Sequence, residues 1–128
     1  MQSLKERFQE LLGEISIERT YHLSYDAVNN EKKFVNPNNN EEKDDARTYI
    51  LRKLKKFKAK SIESPCASTI IFIFEDENFD LIRFKNELEK DFYIFISLID
   101  DRYKNRNEAF NYNNDLDKSA QSIWNSLQ

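Results

Sequence analysis

A single glycine, Gly13, in a chain of 128 residues limits what this sequence can fold into more than any other feature of it. Glycine takes positive φ without steric cost and lets another backbone or a phosphate approach closely. Phosphate-cradling loops and dinucleotide fingerprints need several glycines at fixed spacing, so nucleotide binding through those motifs is excluded. Turns must fall instead on Asn and Asp, which tolerate left-handed backbone and bond to their own main chain.

The length suits one domain over residues 1–128 with a single core. A disordered chain would lack the 10 Phe and 6 Tyr present here, whose burial offsets the entropy of ordering the backbone. The net charge of -3 argues against a protein that coats nucleic acid non-specifically, although it leaves room for a local basic face. Cys66 is the only cysteine, which rules out an internal disulfide and a multi-cysteine zinc site and reads as a small buried apolar side chain. No leader and no run of about 18 apolar residues is evident, so the expectation is a cytoplasmic protein with no membrane association.

Along the chain, Ser3 and Glu6 have capping-box spacing ahead of Leu4, Phe8, Leu11 and Leu12, which predicts a helix over Ser3–Leu12 closed by Gly13. Arg19–Asp26 alternates as a strand, with Tyr21, Leu23 and Tyr25 on one face and His22, Ser24 and Asp26 on the other. The asparagine-rich stretch Val28–Asn40 reads as a loop. Acidic residues then precede Ala46, Ile50, Leu54 and Phe57, and basic ones follow, which predicts a helix from Glu42 to Phe57 aligned with its macrodipole. A short edge strand over Lys58–Ser64, broken by Pro65, leads to a central strand Thr69–Phe74. Asn78 caps the next expected helix, which ends near Asp91, and the apolar run Tyr93–Ile99 is a further strand. Phe110 and Tyr112 stand at strand spacing, and a last helix carries Leu116, Ala120, Ile123, Trp124 and Leu127 on one stripe.

From Arg19 onward the order is strand, helix, strand, strand, helix, strand. This is the α+β, ferredoxin-like βαββαβ arrangement, with extra helices at residues 1–14 and 114–128 around a core at 19–101. Both core helices would cover one sheet face and leave the other open. If Tyr21, Leu23 and Tyr25 meet the helices, His22, Ser24 and Asp26 look out from the open face; the reverse assignment is the alternative.

Ser24-Tyr25-Asp26 at the end of the first strand, Arg47 early in the helix, and Lys60-Ser-Ile-Glu-Ser leading into Ser68-Thr-Ile-Ile-Phe-Ile-Phe together resemble small CRISPR-associated endoribonucleases of the Cas-two type and their virulence-associated protein D relatives. The resemblance spans roughly Arg19 to Asp101. It implies a homodimer in a defence system, with the aspartate that ends the first strand near the dimer axis and, in nuclease members, holding Mg²⁺ or Mn²⁺ with its symmetry mate. Here that residue is Asp26. The chain departs from the pattern in lacking the usual glycine after the first helix, where Lys58 and Ala59 stand, and in its longer loop and added N-terminal helix.

Asp26 thus has two readings, a metal ligand in a nuclease and a strand-terminal carboxylate that caps the following loop. His22 can serve as a general acid or base, or be an ordinary outward histidine. A relay through His22, Ser24 and Asp26 is rejected, because alternate strand residues stand about 7 Å apart. Arg52, Lys53, Lys55, Lys56, Lys58 and Lys60, with Arg47, form the one strong basic run and can track an RNA or DNA backbone or be the solvated face of a helix. Three function classes follow: a nucleic-acid-binding or cleaving protein, a non-enzymatic module (antitoxin-like, regulatory or anti-defence) with a protein partner, and a small structural domain whose terminal helices drive oligomerisation.

Overall fold

The computed structural model describes residues 18–75, 79–99 and 114–127. The expected N-terminal helix, the Asn78 cap and the Phe110–Tyr112 pair lie outside them. In chain order the elements are β1 (Arg19–Ala27), β2 (Phe34–Asn36), β3 (Asn39–Asp44), α1 (Ala46–Lys56), β4 (Ser61–Cys66), β5 (Thr69–Phe74), α2 (Leu81–Leu88), β6 (Phe92–Ile99) and α3 (Asn114–Ser126). The protein is a mixed α+β structure around a four-stranded sheet in the order β4-β5-β1-β6, with β2 and β3 forming a separate hairpin. Each sheet pairing is antiparallel, so β1 and β4, which flank β5, run the same way and are joined through α1.

The alternation in β1 sets the core face. Tyr21, Leu23 and Tyr25 are buried, as the sequence predicts, and meet Ile70, Phe72 and Phe74 of β5 and Phe92 of β6. Ile50, Leu51 and Leu54 of α1 and Phe84 and Leu88 of α2 close the same cluster. Aromatic rings fill it in two groups. Tyr21, Phe72, Phe74 and Phe79 pack at one end, with Phe74 and Phe79 stacked at 3.7 Å, and Tyr25, Phe34, Tyr49 and Phe92 pack at the other.

Several expectations are corrected. The stretch read as a loop folds in part as the β2–β3 hairpin, turned at Pro37–Asn38 where Asn36 Oδ1 accepts from the Asn38 N–H at 2.9 Å. Phe34 anchors the hairpin by stacking on Tyr49 at 4.1 Å, a long-range contact that local composition does not announce. Glu42 is in β3, and the helix starts at Ala46 behind Asp45, whose side chain accepts from Thr48 N–H. The edge strand runs to Cys66 through Pro65 because a bulge between Glu63 and Cys66 spares the ladder a missing donor. The next helix is capped by Asp80 and ends at Leu88, short of Asp91. Cys66 is exposed on the β4–β5 hairpin, not buried.

Candidate functional site

Away from the helices, the sheet presents a surface that none of the described elements covers. The register lines up its residues in rows: Ser61, Ile73, Thr20 and Ile99; Glu63, Ile71, His22 and Ser97; Cys66, Thr69, Ser24 and Phe95; and Asp26 with Tyr93. Residues directly opposite on antiparallel strands share a face, so this surface mixes apolar and polar groups. Tyr93 and Phe95 are 68% and 65% exposed, and Leu98, on the other face of the same strand, is 61% exposed.

The two sheet edges differ. Along β4, α3 meets the outward backbone groups: Asp117 Oδ1 accepts from Ser64 N–H at 2.8 Å, and Gln121 Nε2 donates to the Ile62 carbonyl at 2.6 Å. Along β6, no strand or helix among the described residues pairs with the outer edge. Its sequence, Phe-Tyr-Ile-Phe-Ile-Ser-Leu-Ile, holds no charge and no proline, the devices by which proteins blunt a free edge. The apolar run was legible as a strand, but nothing local marks it as an edge; only its place in the strand order does.

On the uncovered face, His22 Nε2 and Ser24 Oγ lie 3.3 Å apart. Backbone spacing had argued against such a contact, but the reach of the imidazole along the strand closes the gap. Asp26 is exposed near the C-terminal end of β1 and shares in no such contact among the described residues. Among the described residues no third group completes a relay, and no three His, Cys, Asp or Glu side chains gather as a metal site. A divalent cation takes about six oxygen ligands, so Asp26 could hold one only with ligands that the described residues do not gather around it.

The basic run is mostly engaged within the protein. Arg47 donates to the Leu116 carbonyl and to Ser119 Oγ, and Lys55 sits over the Trp124 ring at 4.2 Å. Arg52 Nε donates to Asp44 Oδ2 at 2.6 Å. Lys53 and Lys56 share Glu87 Oε1 at 3.5 and 3.0 Å. Burial works to raise the Glu87 carboxyl, but the bond from Lys56 and the charges of both lysines outweigh it and hold the group below its ordinary value. Lys60 pairs with Glu18 and Glu75, whose hydrogen bonds push it up to about 12. Only Lys58 has no side-chain partner among the described residues. The carboxylates that meet these cations come from other elements, so a run without acidic neighbours in sequence acquires them in space.

No family model matches the chain, and no curated protein or solved structure is significantly similar to it. Among the described residues no helix is long and apolar enough to cross a membrane.

Proposed function

We propose that this protein is a non-enzymatic interaction module that associates with a second copy of itself through the β6 edge and the adjoining sheet face, which none of the described elements covers. The observation that carries this reading is the contrast between the edges: β4 is closed by α3, whereas β6 offers eight uncharged residues with Tyr93, Phe95 and Leu98 exposed. A two-fold axis pairing β6 with its copy would extend the sheet, satisfy the outward β6 backbone groups and set Tyr93, Phe95 and Leu98 beside cross-strand neighbours, with about 25 cal/mol for each Å² of apolar surface that this covers. Sedimentation of the full chain over a concentration series should show a dimer. The Phe95→Glu/Leu98→Lys variant should sediment as a folded monomer. A wild-type chain that stays monomeric throughout removes the proposal.

A second reading has its own support. The order β4-β5-β1-β6 with antiparallel neighbours supports a ferredoxin-like βαββαβ reading in which β1, β4, β5 and β6 are the four strands, and Asp26 lies near the end of a central strand, on the face away from the helices. That agrees with the Cas-two resemblance, in which two such aspartates hold Mg²⁺ or Mn²⁺ across the dimer axis and cleave RNA or DNA. Incubation of labelled RNA and DNA with and without each ion tests it. Cleavage that survives Asp26→Ala would take this residue out of the chemistry.

A further inference from the structure

A groove of about 390 Å³ lies on the side of α1 that faces the β2–β3 turn. Tyr49, Arg52, Lys53 and Lys56 line it from the helix, Val35, Pro37 and Asn38 from the hairpin, and Leu127 from the end of the last helix. The helical residues recur three and four apart, so α1 brings three cations to one side without any loop to hold them. Of their counter-ions, Asp44 is nearly buried and binds Arg52 through Nε alone. Among the described residues the two terminal amino groups of Arg52 have no acceptor. This is a guanidinium held through Nε, with the terminal half of its fork, the part suited to an oxyanion, unused among the described residues. Glu87 is divided between two lysines on a single oxygen, the bond to Lys53 being the longer at 3.5 Å. Three cations thus meet two carboxylates, and all three line the groove.

We infer that this groove is a binding site for a small phosphate monoester, its phosphate held by Arg52, Lys53 and Lys56 and its apolar body set against Val35, Pro37 and Leu127. The volume exceeds that of a phosphate ion, and the apolar wall gives the remainder a chemistry. A nucleic-acid backbone is a poorer fit, because a track of phosphates needs a line of free cations, and Arg47, Lys55 and Lys60 are committed elsewhere. The site is independent of the β6 edge, so either can fail without the other.

Titration calorimetry of the full chain with phenyl phosphate and, separately, inorganic phosphate tests the assignment. Phenyl phosphate should bind saturably at one per chain and more tightly than inorganic phosphate. Arg52→Lys keeps a cation beside Asp44 but loses the fork, and should weaken binding about tenfold or more, the loss expected for a charge-assisted hydrogen bond. Lys56→Gln, at an exposed position, should weaken it several-fold with the thermal transition unchanged. The proposal is overturned by the absence of saturable binding at millimolar ligand, by wild-type affinity in both variants, or by an unphosphorylated single-stranded oligonucleotide that displaces phenyl phosphate with a steep salt dependence.

Discussion

Lys58 follows the last turn of α1 with φ of 69°, in the left-handed region where glycine is usual. The Ala59 N–H reaches the Leu54 carbonyl and the Lys58 N–H the Lys55 carbonyl, each at 3.0 Å, which is the paired bonding of a Schellman cap. The chain therefore ends this helix as others do but with a side chain that strains the cap. Lys58→Gly should raise stability by about 0.5–1 kcal/mol in urea unfolding, the left-handed strain relieved less the entropy that glycine adds to the unfolded chain. The acidic cluster before α1 shows what the sequence could and could not say at this scale. That Glu41, Glu42, Asp44 and Asp45 border a helix was legible; that Asp45 caps it, Asp44 turns inward to Arg52 and the glutamates lie on a hairpin depends on partners fixed only by folding. Burial pushes the Asp45 carboxyl up, but the Thr48 hydrogen bonds and the charges of Arg47 and Lys33 win and lower it below 3.8. A carboxyl with a depressed folded value contributes stability in full above its unfolded value and loses it as pH falls through the folded one. Stability should thus fall as pH drops through and below the ordinary carboxyl range, and Asp45→Ala should flatten that slope while costing about 1 kcal/mol near neutrality. Equal acid slopes in wild type and variant would show that the cap carries no such linkage.

Among the elements, α3 illustrates both reach and limit. Its stripe of Ala120, Ile123, Trp124 and Leu127 predicts a docked helix, and Ala120, Trp124 and Leu127 are buried. The destination was not written in the stripe: it is the flank of α1 and the β4 edge, fixed by Arg47, Lys55, Asp117 and Gln121. Trp124→Ala should destabilise by about 3–5 kcal/mol, through lost burial and the void left beneath Lys55. The pair Asp117→Ala and Gln121→Ala should cost less, about 1 kcal/mol for each hydrogen bond removed. Its second effect is more telling, since the freed Ile62 and Ser64 backbone groups would turn β4 into an open edge. Light scattering on gentle heating should then rise earlier in the double variant than its lost stability alone accounts for. The β2–β3 hairpin is the converse case. Its strands are short and rich in Asn and Glu, so no alternation marks them, and it exists because Phe34 finds Tyr49 and Phe92.

For the whole molecule, the sequence distinguishes strand from helix well but inner strand from outer strand poorly. Thr69–Phe74 and Phe92–Ile99 are almost equally apolar, yet among the described strands β5 lies between two and β6 beside one. The pattern of β6 is that of an inner strand, and an inner place is what pairing with a second copy would supply. Amide exchange separates the cases without any substitution. In an antiparallel edge strand alternate N–H groups point inward to the neighbour and outward to water. If β6 pairs with a second copy, the inward amides of β6 should be protected at every concentration and the outward ones only as concentration rises, while those of β4 do not change. Protection of the outward set in dilute solution, at a constant level, would mean that the same chain covers its own edge. Exchange at the intrinsic rate throughout would mean that the edge stays open, and in either event the self-association reading fails at the strand on which it rests.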